Sequence, residues 1–298
     1  MLLPRRLLAM GAAADPNYFV LVSDLHLNAD RNFINDTNPS LKPSSMWANF
    51  RQVCDEVLAL PDRPAAVLIN GDVAYHEGLP GDYATAIAAM APLREAGLPV
   101  HWALGNHDDR GNLAKAVERD DAIVPELTDH RVMTLACPQA NIFVMDTLYE
   151  VNKAPGLLGA GQLAWLGAAL DRQANRPAIV FVHHNPFLPV ADPPKSVATP
   201  GKPLVNTGLL DTEQLLKVLL PRQQVKALFF GHTHRYHHLV IEGLNLVNLP
   251  ATGFLFAPGP PLGWMDLRVG KAGARVQLHC LDPKHPLQNE VVDLKWRV

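Results

Sequence analysis

Six short apolar runs, each ending abruptly in polar residues, constrain this 298-residue chain more than any other feature. They read YFVLVSDLH, AAVLINGD, PVHWALGNHD, NIFVMDT, AIVFVHH and KALFFGHTH. Runs of this length, rich in Val, Ile, Leu and Phe, suit strands covered on both faces, because a half-exposed strand would alternate apolar with polar residues. Helix-like stretches lie between them, at residues 45–60, 81–96, 161–173 and 211–220, and Asp211 stands where an N-cap precedes apolar positions at helical spacing. Strand alternating with helix argues for an α/β fold. After Gly231 the pattern changes to strand-like segments joined by Gly and Pro turns, which reads as antiparallel strands joining or facing the first sheet.

Composition narrows the class. Hydrophobic residues make up 48% and charged residues 18%, enough apolar material for one large core or two modest ones. A formal net charge of −3 gives no electrostatic case for a nucleic-acid polymer or a membrane surface as partner. Three scattered cysteines, Cys54, Cys137 and Cys280, are too few for a disulfide framework or a thiolate metal site and read as buried thiols. Residues 1–15 hold a basic pair and a short apolar stretch, and are expected to be a leader remnant or a flexible terminus ahead of one domain over 16–298. The cytoplasm is the favoured location, with export following if that segment is a leader. Two irregular stretches, 28–45 and 185–210, directly follow polar strand ends and are expected to be functional loops.

The polar ends carry Asp24 and His26, Asp72, Asn106 and His107, His183 and His184, and His232 and His234. In α/β sheets, ligands gather outside the carboxyl ends of the strands, so these residues should converge. Any one pair would pass as a loop start or a turn. Five segments of ligand type together are not explained by packing, since buried His, Asp and Asn carry a large desolvation cost unless paired or bound to a metal. Oxygen and nitrogen donors without thiolate suit Mn, Fe, Zn or Co. Some seven donors exceed one tetrahedral site and suit two ions sharing a carboxylate, a pair that can clamp both oxygens of an in-line displacement at phosphorus.

In order and spacing, DLH, GD, GNHD, VFVH and GHTH resemble the motifs of the calcineurin-like binuclear metallophosphoesterases, over roughly residues 18–250. The DLH opening, the HHNP segment, the GQLAWL helix and the LPATGF segment look most like the bacterial class III cyclic-nucleotide phosphodiesterases and their glycerophosphodiesterase relatives. The resemblance implies a four-layer αββα sandwich of two mixed sheets, with the metal site at the carboxyl ends of the strands. It implies one ion held by Asp24, His26 and His234, a second held by Asn106, His183 and His232, and Asp72 bridging them. His107 would not be a ligand; it would serve as general acid or donor beside the leaving oxygen, while a metal-bound hydroxide attacks. A small phosphate ester would be the partner, most of all a phosphodiester, with a phosphomonoesterase, a promiscuous phosphatase or a non-catalytic binding protein as alternatives; a homodimer is left open.

Four further residues are candidates near substrate or behind the ligands. His184 adjoins His183, and the V-x-x-H spacing favours His183 as ligand. Tyr75 matches an iron-binding Tyr of purple acid phosphatases, but those carry Asp-x-Gly where this chain has His26, so Tyr75 is expected to pack or hydrogen-bond. Asp108 is open between orienting His107 and capping, Asp109 is expected to cap the helix near Gly111, and Arg235 is either a substrate contact or a solvated loop residue. His237, His238 and His279 are expected to be structural.

Overall fold

The computed structural model describes residues 13–117, 123–124, 127–186 and 206–298. The leader reading of residues 1–15 therefore lies almost wholly outside the described residues, as does most of the 185–210 loop. Two six-stranded sheets make up the centre. In the first, β12 (Val291–Lys295), β11 (Gly273–Cys280) and β10 (Gly263–Val269) run alongside β1 (Asp15–Val22), β2 (Pro64–Ile69) and β3 (Val100–Trp102), in that order. The second has the order β4 (Met133–Cys137), β5 (Ala140–Val144), β6 (Ala178–Phe181), β7 (Val225–Phe230), β9 (Leu244–Asn248), β8 (His237–Ile241). Both sheets are mixed: β1 is parallel to β2 and antiparallel to β10, while β5, β6, β7 and β9 run parallel with β4 and β8 antiparallel at the edges.

The uninterrupted apolar runs follow from this layering. Along β1, Phe19 and Leu21 point into the core between the sheets, while Val20 and Val22 point the other way, under α1 (Met46–Leu58) and α2 (Pro80–Ala89). Along β6, Ile179 and Phe181 join the inter-sheet core, and Val180 packs with Leu166 and Leu170 of α5 (Gly159–Arg172) and Leu215 and Leu219 of α6 (Thr212–Leu219). Each central strand is covered on both faces, giving the αββα order of layers. Phe181 and Phe229 stack across neighbouring strands with centroids 4.7 Å apart at 11°.

Four local outcomes differ from the sequence expectations. The single helix expected over 81–96 is two, α2 and α3 (Ala91–Glu95), because Pro92 lacks the N–H the helix needs and clashes with the preceding turn. The strands after Gly231 divide: β8 and β9 complete the second sheet, with β9 parallel to β7, and β10–β12 extend the first. Strand β4 has no uninterrupted apolar run to mark it because, as an edge strand, it is half exposed. Asp211 precedes α6 as expected, but its carboxylate accepts from Leu158 N and Gly159 N at 3.1 and 2.8 Å, so it caps the start of α5 instead. Asp109 does cap α4 (Arg110–Ala116), accepting from Asn112 N at 2.7 Å. The cysteines are free and buried. His279 stacks on Trp264 at 3.9 Å and bonds Asp266, and His238 bonds Asn245.

Phe181 is fully buried against Phe229 at the middle of the inter-sheet core. Phe181→Ala is therefore expected to cost about 3–5 kcal/mol of unfolding free energy, read as a lowered denaturant midpoint with an unchanged m-value.

Candidate metal centre

The two sheets present their strand ends to one place, and the backbone there takes an uncommon form. Asp24, His26, Asp72, His232 and His234 all have positive φ, between 48° and 68°. The left-handed region costs an L-residue about 1–2 kcal/mol and is entered most readily by Asn, Asp and His after Gly. Beyond the ends of β1 and β2 the chains stay paired through Asp24 N to Gly71 O, His26 N to Asp72 O and Leu27 N to Val73 O. Leu25 and Leu27 are thereby buried under the helices.

Donors from the first sheet (Asp24, His26, Asp72) meet donors from the second (His183, His232, His234), and Asn106, beyond the end of β3 and next to His107, is buried. Asp24, His26 and His234 offer ligand atoms within 4.8 Å of one another, and so do Asp72, His183 and His232. Asp72 stands between the groups, with Oδ2 3.2 Å from His183 Nε2 and 3.6 Å from His26 Nε2. In GHTH, His232 thus falls in one group and His234 in the other. His107 shares a third group with His26 and Asp72; its amide donates to Asp72 Oδ1 at 2.8 Å and its Nδ1–H to His76 O at 2.9 Å.

Backbone carbonyls fix the imidazoles. Nδ1 donates to Tyr75 O from His26 (3.3 Å), to Asn70 O from His183 (2.7 Å) and to Phe254 O from His234 (2.6 Å); His232 donates from Nε2 to Thr207 O (2.9 Å). A carbonyl only accepts, so in each neutral ring the opposite nitrogen carries a lone pair, the tautomer a metal requires. Two such lone pairs, His26 Nε2 and His234 Nε2, face each other at 3.0 Å, repulsive as neutral bases and relieved by a cation beside both. His183 Nε2 and Asn106 Oδ1 are buried without a hydrogen-bond partner. These donors fit divalent ions.

The electrostatics agree with the donor set. Burial works against ionisation of Asp24, but the neighbouring imidazoles of His234, with Nε2 3.5 Å from Oδ1, and His183 outweigh it and bring its pKa to about 2. Burial likewise opposes the charge on His183, yet Asp72 and Asp24 overcome it and raise its pKa to about 9, a sign of how negative the pocket is. His26 is pushed down to about 3 and His232 to about 4, in both chiefly by burial, so both stay neutral.

The remaining candidates resolve as follows. His183, not His184, reaches the carboxylates; His184 lies fully buried behind His232, with Nδ1 2.7 Å from Thr147 Oγ1. Asp108 does not orient the His107 ring: it is fully buried and accepts from Gly105 N, Ala74 N and Tyr83 Oη, tying the GD and GNHD loops together. Burial, and then the charge of Asp72, raise its pKa to about 6. Tyr75 packs its ring against Phe33 at 4.7 Å and serves the site through its carbonyl. Arg235 is exposed, and its carbonyl accepts from Asn248. Sequence reading passed over Ser23, whose hydroxyl donates to Asp24 Oδ2 at 2.6 Å, and the carbonyls of Asn70, Thr207, Phe254 and His76. A carbonyl leaves no mark in a sequence, because every residue has one.

With fold and site in hand, the chain belongs to the calcineurin-like phosphoesterase family, whose family model matches residues 18–236. It is a metal-dependent phosphoesterase with the layered architecture of that family. Among relatives, the 3′,5′-cyclic adenosine monophosphate phosphodiesterase CpdA of Pseudomonas aeruginosa is 29% identical over 80% of this chain and 78% of its own. The glycerophosphodiester phosphodiesterase GpdQ of Enterobacter lignolyticus is 28% identical over 67% of this chain and 66% of its own. A dimetal phosphatase from Danio rerio shares the fold with a TM-score of 0.66 at 14% identity, over 94% of this chain and 98% of that one. Among the described residues, no helix is long and apolar enough to cross a membrane.

A Cβ on Gly105 would lie 2.1 Å from Asp72 Oδ1 and 2.5 Å from Asp72 N. Gly105→Ala must displace the shared carboxylate and is expected to weaken metal binding by roughly 10–100-fold, as loss of ligand support commonly does. Metal titration followed by calorimetry checks this; unchanged affinity in a folded variant would show that Asp72 does not hold the ion.

Proposed function

We propose that the chain hydrolyses small phosphodiesters, of cyclic-nucleotide or glycerophosphodiester type, at a centre of two ions. What carries the reading is the position of Asp72 between two groups of donors, each drawn from both sheets, with Oδ2 3.2 Å from His183 Nε2 and 3.6 Å from His26 Nε2. Asp24, His26 and His234 would hold one ion, Asn106, His183 and His232 the other, and Asp72 both. The relatives named for cyclic-nucleotide and glycerophosphodiester phosphodiesterases favour a diester over a monoester. Mn, Fe, Zn and Co all suit such donors.

Bound there, divalent ions supply Lewis acidity toward the phosphoryl oxygens and lower the pKa of water. The protein supplies position and protons. With its amide on Asp72 and its Nδ1–H on the His76 carbonyl, His107 has Nε2 as the ring atom left for substrate. Protonated there, it would bond a phosphoryl oxygen or give its proton to the departing alkoxide as the phosphorus–oxygen bond breaks. The burial of the ligands keeps bulk water from competing for them.

In a panel of bis-aryl, mono-aryl and cyclic-nucleotide phosphates assayed with Mn, Zn and Fe, the diesters are expected to give the higher kcat/KM. Chelation should abolish turnover, and Asp72→Asn, which suits a left-handed backbone but lacks the charge, should lower metal content and activity together. Turnover that survives both would sink the two-ion mechanism. His107→Asn is expected to cut kcat by roughly 10²–10⁴-fold with metal content unchanged; a matching fall in metal content would make His107 a ligand.

A further inference from the structure

Most of Phe256 faces water, at 57% exposure, although its ring lies flat on His234, with centroids 4.0 Å apart and planes within 17°. With one face against the imidazole, that exposure comes from the opposite face and the outer edge. The ring is held in place. Phe254 meets it edge-on at 5.4 Å and also packs on His26 and His234 at 4.8 and 4.7 Å. The Phe256 carbonyl accepts from Asn38 Nδ2 at 2.9 Å, and Ser44 Oγ and Asn49 Nδ2 hold the carbonyl of Gly253 at 2.8 and 2.9 Å. An exposed Phe elsewhere on a surface is unremarkable in itself. Phe256 differs in being fixed directly on a residue of the metal-ligand groups.

We propose that Phe256 is a specificity-determining residue, a fixed platform on which a planar, apolar ester arm (an aryl group or a nucleobase) stacks while its phosphoryl group lies at the metal centre. The proposal rests on the phosphodiesterase reading for the arm's place in a substrate. A platform already rigid loses little conformational freedom when the arm binds, so the stacking is retained as affinity. Every nucleobase or aryl ring has a π-face, which makes such a platform tolerant of ring identity and selective against short alkyl arms. Substrates with a flat arm are thereby separated from those with only a glycerol or methyl arm.

The test pairs phenyl phosphate with methyl phosphate, binding each to the manganese-loaded protein by calorimetry. Phe256→Ala is expected to weaken phenyl phosphate by roughly 3–10-fold, the range of one aromatic pair, and to leave methyl phosphate within about twofold. Phe256→Trp should restore the phenyl preference and Phe256→Leu should not. In kinetics, Phe256→Ala should raise KM for a bis-aryl diester while metal content stays constant. Equal weakening of both phosphates, or loss of manganese from Phe256→Ala, would overturn the proposal, the ring then being only a cover for His234. If the wild-type protein turned over no diester, the phosphodiesterase reading would fall; the phenyl-to-methyl ratio would still decide the stacking, and a ratio unmoved by Phe256→Ala would refute it.

Discussion

Two buried carboxylates, Asp24 and Asp72, set the terms for the rest of the molecule. Such charges are tolerated only where hydrogen bonds and positive partners replace water. Asp24 accepts from Ser23 Oγ on its own strand end and from the amide of His232 at the end of β7 in the facing sheet. Asp72 accepts the amide of His107 and lies beside His183. The requirement reaches into backbone shape: a Cβ on Gly231 would sit 2.2 Å from Ser23 Oγ and 2.7 Å from Asp24 Oδ2. Glycine lets the second sheet close on the first at the carboxylate.

Much of this was legible because function and fold write to the same positions. Strands buried on both faces produce uninterrupted apolar runs, and those runs must end where polar side chains begin. The donors therefore announced themselves as departures from a strong pattern, and five departures of one chemical type are hard to produce by chance. The capping role of Asp109 was legible for a similar reason, the motif being local. Asp211 shows where that logic stops: position at a helix start does not say which helix its carboxylate serves, and here it serves one some fifty residues earlier in the chain.

Other features lay beyond sequence because they belong to pairs of distant segments. The split of the last five strands between two sheets depends on which edges are free, and the edges form only when the sheets do. Asp108 looked like a companion of its neighbour His107. Its burial and bonds to Gly105, Ala74 and Tyr83 make it a brace between loops instead. Tyr75 likewise contributes a carbonyl where a phenol would be sought. Phe256 carries no motif, and only its stacking on His234 distinguishes it from other exposed apolar side chains.

The left-handed backbone at five donor positions also bears on how such a site changes over generations. Substitutions there are filtered twice, by the ion and by the backbone. Val, Ile and Thr are refused by sterics before their chemistry is tried, whereas Asn, Asp, His and Gly are admitted. The residues the backbone accepts are nearly the ones that can bind a metal or step aside for one. Drift is thus channelled toward exchanging one ion for another, or toward a site that falls silent in an intact fold, and away from loops that collapse.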